Sequence, residues 1–141
     1  MNYFGILAGG IALTVGSFTQ AVKPTTAESL QGTWILTSIN GQSPPDGAPE
    51  VSLTFAGDKY HQTIGGEVNE RGTIKLDTTT TPVTIDLVIA EGSDAGKTQL
   101  GVVEVTDGTI RCSLNQPGAA QRPGDFTVKE GVIMFVGKKK K

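Results

Sequence analysis

The feature that most constrains this chain is a series of short apolar runs, many of them alternating with polar residues, each bounded by turn-forming residues. From residue 28 onward no run is long and periodic enough to indicate a helix, whereas a period of two is typical of half-buried β-strands. The predicted strands are residues 33–39, 51–55, 59–64, 68–76, 83–89, 98–105, 109–114 and 132–136. Asp107-Gly108 is the clearest hairpin turn between them, because both residue types tolerate positive φ.

Alternation also assigns the faces of these strands, since successive side chains point to opposite sides of a sheet. Eight strands joined by hairpins most simply close into an up-and-down antiparallel barrel, which leaves no exposed edge. A two-sheet sandwich is the alternative all-β fold. A barrel of this size is either filled by its own side chains or holds one small ligand. The residues predicted to line its interior are Leu53, Phe55, Ile85, Leu87, Val102 and Leu114.

The N-terminal 21 residues carry no Asp, Glu, Lys or Arg, and residues 3–18 form a hydrophobic run. That run resembles the core of a secretory signal peptide, and Thr19-Gln20-Ala21 offers a cleavage site. It is shorter than the roughly 20 residues of a membrane-spanning helix, so we expect no integral span in the mature chain. The alternative is an N-terminal extension that stays attached. The predicted organisation is a signal peptide (1–21), a linker (22–29), a barrel domain (30–137) and a basic tail (138–141), in an exported protein.

The charge balance argues against a nucleic-acid partner. The chain has 12 basic and 14 acidic residues, which gives 12 − 14 = −2. Without the four lysines at 138–141 the balance is 8 − 14 = −6. An acidic body repels the phosphate backbone. We expect the tail to be a solvated end, with contact to an anionic surface as the alternative.

Composition excludes several kinds of site. One His, one Cys and one Trp are too few for a His/Cys zinc cage, a haem ligand pair or a disulfide framework. His61 is predicted to point outward, and Cys112 to be a buried, inert thiol. No nucleophile and base can be placed within reach of each other, so we expect no catalytic residue, no metal and no cofactor. A hydrogen-bonded polar cluster inside the barrel would reopen the question of catalysis.

Several segments occur in an order that carries a family resemblance: LQGTW at 30–34, LTFAGDKY at 53–60, GTIKLD at 72–77, TPVTIDL at 81–87 and RCSL at 111–114. This pattern resembles the small secreted lipocalin-like domain family of unknown function that is best known from planctomycete-type bacteria. The resemblance covers about residues 28–136. It implies a lipocalin-like barrel and export, and it assigns no activity.

The Gly32-x-Trp34 opening is also similar to the first signature of lipocalins. That resemblance implies that Trp34 closes one end of the barrel and that an arginine lies across its ring. Arg122 is the candidate for this arginine, and Arg111 is the rival, although it occupies an outward-facing strand position. Gly32, Trp34 and Arg122 are therefore predicted to be structural.

Two functions agree with these observations. In the first, this non-catalytic secreted or periplasmic protein binds a small apolar or amphipathic molecule inside the barrel, the usual location for a ligand with such a lining. In the second, the interior is packed solid, and the domain is a structural or protein-interaction module of the cell envelope that works through its loops and acidic outer face. The protein partner of such a module is not identified by the sequence.

Overall fold

Eight β-strands make up nearly all the regular structure of the computed structural model, which describes residues 23–141. In chain order, a short helix is followed by the strands: α1 (Ala27–Leu30), β1 (Gly32–Ile39), β2 (Val51–Ala56), β3 (Lys59–Ile64), β4 (Glu67–Asp77), β5 (Val83–Glu91), β6 (Thr98–Thr106), β7 (Thr109–Asn115) and β8 (Val132–Lys139). Each strand pairs antiparallel with the next, and β8 pairs with β1. The predicted all-β, up-and-down, eight-stranded barrel is confirmed. The predicted signal peptide, residues 1–21, lies outside the described residues.

The hairpin turns follow the backbone freedom of their residues. Asp107 and Gly108 have φ values of 49° and 75°, which places both in the left-handed region. Two consecutive residues with positive φ match the right-handed twist of the strands on either side. The predicted hairpin between β6 and β7 is therefore confirmed.

Inward-facing residues divide the barrel interior into two halves, named here by how they are filled. The packed half lies at the end where β1 begins. Its interior is filled by buried apolar side chains: Trp34, Phe55, Tyr60, Ile74, Val83, Ile85, Val103, Val105, Ile110 and Cys112. The open half lies where β1 ends, and a cavity enters it from that end.

The N-terminal end of the described chain caps the packed half. Thr26 and Ser29 form a reciprocal capping box that begins α1. Leu30 is fully buried, and its carbonyl accepts a hydrogen bond of 2.8 Å from Trp34 Nε1. Thr25 Oγ1 accepts a hydrogen bond from the Val105 amide at 3.0 Å. Residues 22–29 were predicted to be a linker, and this is a correction: the described part of that segment includes most of α1 and seals one end of the barrel.

The C-terminal lysines also belong to the fold in part. β8 continues through Lys139, and the amide of Lys140 donates to the Thr33 carbonyl at 2.8 Å. The predicted boundary between a barrel ending at residue 137 and a solvated tail at 138–141 is therefore wrong by two to three residues. Lys138 and Lys139 take part in closing the barrel, because they pair with Ile35 and Trp34 of β1.

The segment 116–131, named here the strap, crosses the outer face of β5, β6 and β7. Arg122 anchors it: the guanidinium donates to the carbonyls of Ile85 (3.2 Å) and Gly101 (2.9 Å) and pairs with Asp86 at 2.7 Å. Arg111 lies over the ring of Phe126, 4.2 Å from its centroid. The strap therefore buries part of the outer surface of the sheet.

Candidate functional site

The candidate site is a cavity of about 350 Å³ that enters the open half of the barrel. This volume lies within the range of natural small-molecule pockets. All eight strands contribute residues to the wall, and the contribution of β4 is the polar Glu70. Most of it is aliphatic, with one aromatic ring from Phe135: the apolar lining is Leu36, Ile39, Val51, Leu53, Ile64, Leu87, Leu114, Pro117, Ile133 and Phe135.

Three polar side chains on inward positions interrupt this apolar wall. Gln62 and Glu70 face each other across β3 and β4, and Gln99 of β6 is in register with Leu87 of β5. Gln99 is only 6% exposed, and its amide donates to the Asn115 carbonyl at 2.9 Å. Each of these strands also has buried apolar residues toward the packed half. The change from apolar to polar inward residues therefore marks where the packed half ends.

Tyr60 and Glu70 form the hydrogen bond that joins the packed half to the cavity. The Tyr60 hydroxyl donates to Glu70 Oε2 at 2.8 Å. Burial raises the pKa of Tyr60 well above its usual range, and the hydrogen bond to the neighbouring carboxylate acts in the same direction. Tyr60 therefore remains a protonated donor at neutral pH and holds one oxygen of Glu70.

Gly72 makes room for the Tyr60 ring. The two residues are paired across β3 and β4. A Cβ atom at Gly72 would lie 2.8 Å from Tyr60 Cε1 and 2.1 Å from the Val88 carbonyl oxygen. Any larger residue would displace the ring or the neighbouring strand, so the Tyr60–Glu70 geometry depends on a glycine at this position.

The predicted lining is divided by the structure into three groups. Leu53, Leu87 and Leu114 line the cavity, as expected. Phe55 and Ile85 face inward but belong to the packed half, where they are 3% and 1% exposed. They support the floor of the cavity rather than its wall.

Val102 is a correction, because it faces away from the barrel interior. Its partners in the sheet are Thr84 and Ser113, whereas the inward residues of β6 are its neighbours Gly101 and Val103. Val102 is nevertheless only 2% exposed. The strap covers this part of the outer face, with Arg122 bound to the carbonyl of the adjacent Gly101. Val102 is therefore buried between the outer face of the sheet and the strap.

The cation at Trp34 is Lys139, not Arg122 or Arg111, which corrects the role predicted for Arg122. Lys139 Nζ lies 4.8 Å from the centre of a Trp34 ring and donates to the Gln31 carbonyl. Gly32, with φ of 111°, passes beneath this side chain, and a Cβ atom there would lie 2.7 Å from Lys139 Cε. Gly32 and Trp34 thus pack together at the closed end of the barrel, with a lysine from β8 across the indole.

The two reactive side chains singled out in the sequence stay apart. His61 is on the outer face, in register with Thr54 and Arg71. Cys112 is inward and buried, which raises the pKa of its thiol. Within residues 23–141, no three His, Cys, Asp or Glu side chains lie close enough to hold a metal ion. The Tyr60–Glu70 pair is a polar contact inside the barrel. Its phenol is protonated and is therefore not an activated nucleophile. The absence of catalysis stays a prediction.

Sequence reasoning missed Glu70, Gln62 and Gln99 as site residues. A signal for Gln62 was present, because it lies two residues after Tyr60, on the same face of one strand. A signal for Glu70 was present as well, because it lies two residues before Gly72 and four before Ile74 on the same face of β4. A charged residue next to the exposed start of this strand did not suggest an inward position, because charged residues are mostly exposed.

No protein-family model, curated protein or solved structure matches this chain. None of the helical structure within residues 23–141 has the length and apolar character that crossing a membrane requires. What the cavity can bind therefore follows from its own lining.

Proposed function

We propose that this protein is a non-catalytic, lipocalin-like carrier or sensor that binds one small amphipathic molecule in the open half of its barrel. The cavity of about 350 Å³ is the observation that carries the proposal. An apolar wall favours the body of such a molecule through burial of its surface, and polar groups at a few positions fix its orientation. Export to the periplasm or the extracellular space is part of this proposal.

The division between the halves supports binding rather than simple incomplete packing. Trp34, Leu30 and the α1 cap close one end of the barrel, so the cavity has a floor at that end. The packed half contributes most of the buried apolar core that stabilises the fold. The open half can therefore remain unfilled without loss of the barrel. The alternative function, an envelope interaction module, rests on an interior packed throughout.

Binding can be tested with a polarity-sensitive apolar dye and a variant that fills the cavity. Leu36→Trp places a large ring on the cavity wall, and Thr37→Trp places the same ring on the opposite face of the same strand. We expect saturable one-to-one binding to the unaltered protein and to Thr37→Trp, and at least a tenfold loss for Leu36→Trp, an effect of about 1.4 kcal/mol or more.

Thermal melting provides the second readout and the check on folding. A ligand that binds only the native state raises the melting temperature with its concentration. Both variants must melt cooperatively for the comparison to count. The proposal would be contradicted if Leu36→Trp left dye binding unchanged. It would also be contradicted if Thr37→Trp weakened binding as much as Leu36→Trp does, because the dye would then bind outside the cavity.

A further inference from the structure

The charge inside the cavity has one sign. Its lining contains the carboxylates of Glu70 and Asp94, and within the described residues that line it there is no Lys, Arg or His. The remaining polar lining consists of the amides of Gln62, Gln99 and Gln116. A molecule that enters this cavity therefore meets a negative potential with apolar surroundings, where charges interact more strongly than in water.

The two carboxylates differ in whether a cation of the protein already pairs with them. Asp94 is at the turn after β5, where Lys97 Nζ lies 3.4 Å from its Oδ1. Glu70 has no Lys, Arg or His nitrogen within 4.0 Å among residues 23–141, as the ion pairs there involve other residues. Glu70 is thus the carboxylate that could take a cation from a ligand.

The Tyr60 hydrogen bond leaves part of Glu70 available. A carboxylate offers about four acceptor positions on two oxygens. In the described part of the chain, the hydroxyl of Tyr60 is the side-chain donor to Oε2, and no side chain donates to Oε1. Because the Tyr60 ring is held above Gly72, the carboxylate is oriented before any ligand arrives. Preorganisation of this kind lowers the entropy lost on binding.

We propose that the ligand is an amphipathic amine, whose ammonium group donates to Glu70 and whose apolar body lies against Leu36, Leu53, Leu87 and Leu114. This inference rests on the proposed function. An ammonium group has three donors and no acceptor, which complements a carboxylate flanked by amides. A fatty acid would bring a further negative charge into a cavity that already holds Glu70 and Asp94. A neutral alcohol could donate one hydrogen bond, but without the added strength of two opposite charges.

The test uses three ligands with the same apolar chain: octylamine, octanol and octanoate. Affinities are measured by calorimetry and by displacement of the dye at neutral pH. A hydrogen bond to a charged group contributes more than one between neutral groups. We therefore expect octylamine to bind about tenfold more tightly than octanol, and octanoate to bind most weakly.

Glu70→Gln isolates the charge, because glutamine has the same shape and can still accept the Tyr60 hydrogen bond. We expect this variant to lose the preference for octylamine and to keep the affinity for octanol. Glu91→Gln is the matched control: it removes one negative charge from an exposed side chain of β5 that does not line the cavity. Its affinities should equal those of the unaltered protein.

The outcomes separate this inference from the proposed function. Equal affinities for octylamine and octanol, or an amine preference that survives Glu70→Gln, would overturn the amine assignment while the carrier proposal stands. Failure of all three ligands and of the dye to bind would overturn both. An amine preference lost equally in Glu70→Gln and Glu91→Gln would reveal only a general effect of net charge and would also overturn the assignment.

Discussion

The packed and open halves of this barrel are built from the same strands, yet their interiors differ in composition. β3 contributes Tyr60 to the packed half and Gln62 to the open half, two residues further along the same face. β6 runs in the opposite direction and contributes Gln99 to the open half and Val103 to the packed half. A single strand can thus contribute to both the packed half and the open half, because the polarity of its inward positions changes along its length.

The difference also lies in how each end is covered. α1 and Leu30 seal the packed half, and Trp34 binds the Leu30 carbonyl through its indole N–H. The loops at the other end leave a mouth beside Ile39 and Pro117. Aromatic rings bury large areas at little conformational cost, and they are concentrated in the sealed half. The comparison teaches that a sealed core and an open cavity can occupy opposite ends of one barrel.

Thiol labelling should give the largest contrast between the halves. Cys112 is in the packed half, 3% exposed, and burial raises the pKa of its thiol. Leu36→Cys in a Cys112→Ala background places a thiol on the cavity wall instead. A buried thiol reacts only when the fold opens. For a domain of ordinary stability, we therefore expect Cys112 to react at least about a thousandfold more slowly than the thiol at position 36.

A small thiosulfonate reagent without denaturant, followed by mass spectrometry, measures both rates. The same proteins in urea provide the control, where the two thiols should react at similar rates. Rapid labelling of Cys112 under native conditions would show that the packed half opens readily, and the distinction between the halves would then fail.

Truncation of side chains should give the next largest contrast. Trp34→Ala removes a ring that is 1% exposed, together with its hydrogen bond to Leu30, and should lower the free energy of unfolding by about 3 to 5 kcal/mol. Leu36→Ala, two residues away on the same face, removes a partly buried side chain at an existing cavity. Its expected cost is about 1 kcal/mol, because less apolar area is lost.

Urea unfolding followed by circular dichroism measures both free energies, since the signal does not depend on the tryptophan. Equal losses for Trp34→Ala and Leu36→Ala would contradict the assignment of stability to the packed half. An unfolded Trp34→Ala variant would agree with it, and Trp34→Phe then gives a measurable intermediate value, because the ring volume is largely retained.

The strands, the turns and the closed barrel could be predicted from the sequence because they depend on local patterns. Alternation placed Leu53, Leu87 and Leu114 on the cavity wall correctly. It failed at Val102, where apolar residues occur on both faces of β6 and local pattern gives no preference. Only the strap, joined to the sheet through Arg122, explains why the outer residue is buried.

The partner of Trp34 could not be predicted for a different reason. Lys139 reaches it because β8 closes onto β1, which brings together residues about a hundred positions apart. Arg122 has suitable chemistry, but its guanidinium is bound to Asp86 and to the backbone carbonyls of Ile85 and Gly101. Which cation meets a given ring depends on the register of closure, and that information is not local.

The smallest predicted effect tests that closure. Lys139→Met keeps most of the side-chain length but removes the charge over Trp34 and the hydrogen bond to the Gln31 carbonyl. A cation over an aromatic ring at an exposed site contributes about 0.5 to 1 kcal/mol, so we expect a loss of that size in urea unfolding. Lys138→Met, one position earlier on β8, is the control, and its expected change is about zero. If the two variants lose the same free energy, the effect belongs to net charge rather than to Trp34, and the C-terminal lysines do not stabilise the packed half.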